Sequence, residues 1–468
     1  MRSRFSSRLT VLILGFLASS AAAQTVAITG GTVALGDGSA PIENGTVVVR
    51  DGRVVAAGVG IAVPAGATVV DASGKWVTPG IVAGFSRLGL VEVDAVDPTN
   101  DAVANGSPFS AAIDVAPAIN PRASTIAINR AAGVTRAVVA PSTGRSIFAG
   151  QGAVIDLGDD MNAVMRARAF QFVEMGETGA NEAGGIRASA HALFRNALRE
   201  ARDLSGRRDS IAGGAQTDPA TETRQRELPL EEVPDTRLLS TSQQRAEDVL
   251  LTRFDAAALV PVLQGRQLLL VHVERGNDIL QTLALKREFP NLRLVLVGAS
   301  EGWTVADRIA AARVPVIANA LTDLPASFEQ LAATQSNVGR MQAAGVNVAL
   351  GMINEDEARQ LRLSTQNAGN LVALGDVPGA TGLSWGEAFA AITSRPAEAL
   401  GLGGEIGSLR PGRRADVVIW SGDPLELASG VEWVMIDGLQ QPLENRQTRL
   451  RDRYRDLDEA SLPKAYDR

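Results

Sequence analysis

The chain has 468 residues, 45% of them hydrophobic and 21% charged, with a formal net charge of -7. That length holds one large α/β domain and a smaller one, and the acidic balance argues against nucleic acid and anionic membrane surfaces as partners. There is no cysteine, which excludes a disulfide framework, a thiol nucleophile and thiolate metal ligands.

The N-terminus reads as an export signal. Arg2, Arg4 and Arg8 precede an apolar run from Leu9 to Leu17, and Ala21, Ala22 and Ala23 supply small residues before Gln24. The run is shorter than the roughly 20 apolar residues of a spanning helix. Residues 1–23 are therefore expected to be cleaved after Ala23, leaving a periplasmic or secreted protein with no membrane segment. Cleavage removes three arginines and no acid, so a formal charge of -7 becomes -10.

From Thr25 to Asp71, short β-branched runs alternate with glycine turns, and Asp51-Gly52 sits between two such runs as a hairpin signal. Gly407 to Trp420 (G-S-L-R-P-G-R-R-A-D-V-V-I-W) repeats the pattern near the other end. Isolated hairpins are marginal in water, so residues 24–75 and 401–445 are expected to form one composite β-sandwich.

Between these pieces, Gly74 to Leu90 (G-K-W-V-T-P-G-I-V-A-G-F-S-R-L-G-L) predicts a strand over Trp76–Val82, kinked at Pro79-Gly80, and then a loop. Further strands are predicted at Thr135–Ala140, Gly152–Leu157, Ala169–Glu174, Leu268–Val273, Arg293–Val297, Val314–Ile317 and Asn347–Leu350. Helical patterns fall at Pro121–Ala132, Asp278–Glu288, Val305–Ala312, Asp356–Leu363 and Trp385–Leu400, the last with Ser384 and Glu387 as a capping box. Strands alternating with helices predict an α/β fold, a (β/α)8 TIM-type barrel over residues 76–400. Residues 176–245 interrupt it with a charged insertion, expected to hold a helix around Ile186–Leu204 and otherwise to be a solvated surface segment. Residues 446–468 form a charged helical tail that could fold back or pair with another chain.

These phrases resemble the amidohydrolase superfamily, metal-dependent hydrolases whose first barrel strand runs Pro-Gly-x-x-Asp-x-His-x-His. Pro79 and Gly80 match that pattern. So do the flanking V-D-A-S-G-K-W-V-T-P-G, the C-terminal G-S-L-R-P-G-R-R-A-D-V-V-I, and Thr393 with Pro396-Ala397. The resemblance covers nearly all of the mature chain and implies a barrel flanked by a sandwich drawn from both termini. It also implies one or two divalent ions, zinc or another metal. Their ligands would be two His after the first strand, a carboxylated Lys or a Glu after the fourth, and one His after each of the fifth and sixth. An Asp after the eighth would act as general base. Such a metal lowers the pKa of its bound water, which attacks an amide or related carbonyl.

The chain departs from that set. Ala83 stands at the Asp position, and Phe85 and Arg87 stand at the two His positions. His272 ends the fifth strand, where the resemblance places a ligand, while Gln171 and Glu174 are the polar candidates after the fourth. Gly298-Ala299-Ser300 carries no His, and Met352-Ile353 occupies the expected Thr-Asp position. His191, inside the insertion, reads as a packing or surface residue. Two ligands do not make a stable zinc site, which uses three or four. No metal, cofactor or catalytic residue is therefore expected.

Phe85, Arg87, Glu174 and His272 are the candidate substrate-binding residues. The Arg87 guanidinium is expected to meet a carboxylate, Glu174 first and Glu92 second. Glu92, Asp94, Asp97 and Asp101 could offer oxygens to a hard cation but lack the spacing of a dedicated loop. Ser86 has no Gly-x-Ser-x-Gly elbow to support it as a nucleophile. The leading expectation is a non-catalytic pseudoenzyme that binds a small-molecule ligand or stabilises a partner. That partner would be a second copy in a homo-oligomer or a related amidohydrolase in a hetero-oligomer. The alternative is a hydrolase of carbon–nitrogen bonds with an atypical site built on His272 and Glu174. A scaffold subunit without ligand is third.

Overall fold

The computed structural model describes residues 25–93, 96–212, 250–354 and 358–455. The expected leader with its cleavage point, residues 213–245 of the insertion, Asp94 and the tail beyond 455 lie outside them. Among the described residues no helix is long and apolar enough to cross a membrane.

The first five strands are β1 (Thr25–Val33), β2 (Ile42–Arg50), β3 (Arg53–Gly58), β4 (Thr68–Asp71) and β5 (Trp76–Pro79). Eight more follow: β6 (Ile81–Ser86), β7 (Val134–Val139), β8 (Phe148–Asp156), β9 (Val164–Glu174), β10 (Leu268–Val273), β11 (Arg293–Gly298), β12 (Val316–Ala318) and β13 (Val348–Leu350). The last three are β14 (Val417–Trp420), β15 (Val431–Ile436) and β16 (Leu439–Gln440).

Both chain ends meet in one sheet, ordered β16-β15-β14-β5-β1-β2-β3, with β4 also on β1. Strand β5 joins the halves, running parallel to β1 and antiparallel to β14. Its buried face mixes residues from both ends, including Ile28, Val47, Val77, Val417, Ile419 and Met435. The Asp51-Gly52 turn has positive φ at both residues, +51° and +71°, as a two-residue hairpin of this twist requires.

The strand expected over Trp76–Val82 is divided at Gly80, where the chain passes from the first sheet into the barrel. A Cβ on Gly80 would overlap the Thr135 side chain, so only glycine lets β6 approach β7 there. The barrel sheet runs β6 to β13 in sequence order. It is nearly closed: Met352 N donates to Phe85 O at 3.1 Å across the seam between β13 and β6. Its interior is apolar, filled by Phe85, Phe170, Phe172, Leu270, Val297 and Ile317 among others.

One strand departs from the all-parallel expectation. β8 pairs antiparallel with both β7 and β9. Only residues 140–147 and 157–163 separate these strands, and a parallel crossover needs about a dozen or more residues. The helix expected over Trp385–Leu400 is also broken, into Trp385–Ala391 and Ser394–Ala399. Pro396 has no N–H to offer the preceding turn, and Ile392 O accepts instead from Val82 N at 2.9 Å. The capping box of Ser384 and Glu387 is present. Of the helix expected at Asp356–Leu363, Asp356 and Glu357 lie outside the described residues, and a short 3-10 turn at Leu361–Leu363 leads into a helix at Ser364–Ala373.

The start of the insertion is not a solvated segment. The helix Arg187–Ala212 buries Ala190, Phe194, Ala197, Leu198 and Ala201, the one-face spacing of a helix packed on a core. Phe194 meets Phe148 of β8 edge to face, with centroids 5.9 Å apart.

Candidate functional site

Side chains alternate across a strand, so residues two apart share a face. On β9, Phe170 and Phe172 point into the barrel, and Glu174 follows on the same face at the strand end. On β10, Leu268 and Leu270 do so, and His272 follows. The register sets His272 directly beside Glu174. Two adjacent strands thus deliver an imidazole and a carboxylate to the C-terminal mouth of the barrel, the functional face of such folds.

His272 is held from both sides. Its Nδ1 lies 2.5 Å from Glu174 Oε1 and its Nε2 lies 2.9 Å from Glu274 Oε1. Glu274 Oε2 accepts from Ser300 N at 2.8 Å. Gly298, with φ +87°, makes room for this, because a Cβ there would overlap Glu274 Oε1. Burial opposes charge on the ring, yet Glu174 and then Glu274 raise the His272 pKa well above its ordinary value. Burial likewise opposes ionisation of Glu274, and His272 together with Ser300 brings its carboxyl below the ordinary value. The imidazole thus lies between two carboxyl groups, and both favour its charged form.

A second layer of charge surrounds the mouth. Glu329, 7% exposed, accepts from Glu177 N at 2.7 Å and from Arg187 Nη2 at 3.2 Å. Burial holds the Glu329 carboxyl above its ordinary value against the opposing pull of His272. Arg187 also reaches Asp278 at 3.2 Å. His191 lies 3.7 Å from Asp278, so it faces this network rather than serving as a simple packing residue.

The four expected site residues form two groups. Glu174 and His272 are bonded together. Phe85 and Arg87 lie at the end of β6, where Phe85 packs on Phe172 with centroids 5.2 Å apart and the Arg87 guanidinium sits 5.4 Å over the Phe85 ring. Arg87 Nη1 donates to Ala140 O at 3.2 Å. The expected pairing of Arg87 with Glu174 or Glu92 is not what forms. His272 takes Glu174, and Glu92 Oε1 accepts from Ser124 N at 3.0 Å. Glu274 and Glu329 were missed by sequence reading. Glu274 was legible as the residue two after His272, whereas Glu329 comes from a loop with no motif.

Several of the described positions that the family resemblance gives to metal ligands carry side chains of another type. Phe85, at one of the two His positions, is a buried apolar side chain, and both His272 nitrogens lie against carboxyl groups. Among the described residues no group of three His, Cys, Asp or Glu is arranged to hold a metal. Ser86 donates its hydroxyl to Val138 O at 2.8 Å, an anchored buried residue rather than a free nucleophile.

An amidohydrolase family model matches residues 294–439. Imidazolonepropionase of Acidiphilium cryptum (strain JF-5) is 36% identical over 127 residues, 26% of this chain and 28% of that protein. Amidohydrolase tasK of Hapsidospora irregularis is 40% identical over 60 residues, 13% of this chain and 6% of that protein. The matched stretches thus span less than a third of either relative. The crystal structure of an amidohydrolase from Thermotoga maritima MSB8 superposes with a TM-score of 0.72 at 23% identity, covering 89% of this chain and 99% of that one. That likeness speaks for the fold. The family-model match over residues 294–439, the partial relatives and the nearly closed barrel with its accompanying sheet all resemble the amidohydrolase superfamily.

Proposed function

We propose that this protein is a non-catalytic member of the superfamily, a pseudoenzyme that binds a small-molecule ligand or stabilises a partner through the barrel mouth. One observation carries the reading. The imidazole at the fifth strand is clamped between Glu174 and Glu274, so the positive charge that relatives gain from a metal is supplied here by His272 itself. A ring whose two nitrogens both donate has no lone pair for a metal.

The test is metal content combined with turnover. The mature protein is exposed to zinc and to manganese, dialysed against chelator, and analysed for metal. It is then assayed against a panel of amides and cyclic ureides. The reading requires substoichiometric metal and no turnover above buffer.

A second reading is favoured by Glu329, a buried carboxyl held above its ordinary pKa near the mouth. A carboxyl so raised is a candidate general acid. On that reading the protein hydrolyses carbon–nitrogen bonds without metal. Turnover that persists in chelator and is lost in Glu329→Gln would select it.

A further inference from the structure

We infer that a second binding site, for a small dianion such as a phosphate monoester or a dicarboxylate, lies on the barrel flank where the tail folds back. The helix Arg446–Tyr454 packs beside the barrel helix Ser124–Arg130, so the described part of the tail folds back on its own chain. Between them lies a cavity of about 350 Å³, within the range of small-molecule sites, whose lower end is roughly 300 Å³. Arg130 and its acceptor Leu157 lie where β7 begins and β8 ends. That is the end of the barrel away from His272.

The charge in this cavity is unbalanced. Arg122, Arg130, Arg446 and Arg449 line it against only two acids, Asp159 and Glu444. The acids are already committed. Glu444 lies 3.1 Å from Arg449, and Asp159 is shared by Arg122 and Arg130 at 3.4 Å each. Arg446 makes no ion pair with a described residue. Two positive charges are thus left over in a protein that is acidic overall.

Arg130 is the anchor, because its side chain is only 4% exposed. It donates to Pro442 O at 3.2 Å and to Leu157 O at 3.1 Å, which fixes the plane of the guanidinium. Burial holds its pKa below the ordinary value, more than the distant Asp159 restores. A buried guanidinium with neutral acceptors and one long carboxylate contact is under-neutralised, and a bound oxyanion would complete it. The tail helix adds to the same field. Asn445 lines the cavity and caps Gln447 N and Thr448 N at 3.0 and 3.1 Å. The positive end of the helix dipole therefore faces the cavity.

A phosphate monoester and a dicarboxylate share the required chemistry, two negative charges that accept from paired N–H donors. Calorimetric titration of the full mature protein with inorganic phosphate and, separately, with succinate at fixed ionic strength distinguishes them. The comparison variant is Arg446→Ala/Arg449→Ala, since both side chains are exposed and their loss should leave the melting temperature without anion unchanged. Saturable binding of one anion in the native protein, weakened at least about tenfold in the double variant, is the expected result. Phosphate alone would assign the site to phosphate monoesters, and succinate alone to dicarboxylates. No saturable binding of either anion, or equal affinity in the double variant, overturns the proposal.

Discussion

Arg136 of β7 and Asp416, just ahead of β14, are joined by two parallel hydrogen bonds of 2.7 Å across 280 residues of sequence. Arg136 is fully buried, and Asp437 adds a third contact at 2.8 Å. The pair ties the barrel to the sheet built from both chain ends. Removing one partner strands the other in a dry interface, which costs about 3–5 kcal/mol. Arg136→Met is therefore expected to destabilise the protein by that order in urea unfolding. Arg136→Met/Asp416→Leu should recover part of the loss, because the double change removes both stranded charges. A single variant as stable as the native protein would show that the pair does not hold the domains together.

Gly298 leaves the room that the His272 clamp needs. Its φ of +87° disfavours any side chain, and a Cβ would meet both Glu274 and the His272 ring. Gly298→Ala is expected to cost about 1–3 kcal/mol from backbone strain together with displacement of Glu274. Melting temperature reports the strain. The same variant should return the His272 pKa toward 6.5, because Glu274 is pushed from Nε2.

Stability should depend on pH through His272 and Glu274. His272 is raised above its ordinary 6.5, so its contribution is complete below that pH and is lost as pH climbs through the higher folded value. Glu274 is lowered from 4.5, so its contribution is present above that pH and is lost as pH falls through the lower folded value. The pair thus stabilises most between about pH 4.5 and 6.5. Unfolding free energies across the alkaline range should decline in the native protein and flatten in His272→Gln. Parallel curves for the two would remove the clamp from the stability account.

Arg87→His restores one imidazole of the two expected after the first barrel strand. It should not recruit zinc, because Phe85 still fills the other position and His272 remains engaged. Arg87 also packs on Phe85 and bonds Ala140 O. Arg87→Ala is therefore expected to cost more than the roughly 0.5 kcal/mol of an ordinary surface change. Equilibrium dialysis with zinc and thermal melts check the two statements.

Much of the architecture was legible because it rests on short-range patterns. Each of the eight barrel strands overlaps a β-branched or apolar run, and the Ser384 capping box follows from spacing alone. The reversed β8 was not legible, since its direction depends on connection length rather than on the run itself. The helix at Arg187 was legible around Ile186–Leu204, but its packing on the barrel was masked by the polar composition of the segment that follows it. At the mouth, His272 and Glu174 could be named from their strand ends. Their bond to each other could not, because it depends on the register of β9 against β10. The same is true of Arg87, whose expected carboxylate was already taken by a nearer base.

The state of His272 is the most direct test of the account. The chain has two histidines, so in a His191→Gln background one imidazole remains to be read by nitrogen-detected NMR. The account expects His272 to keep both ring protons above pH 6.5, where a free imidazole loses one, with shifts that do not move when zinc is added. A ring that titrates near 6.5, or that takes on a metal-bound shift with zinc, would contradict it.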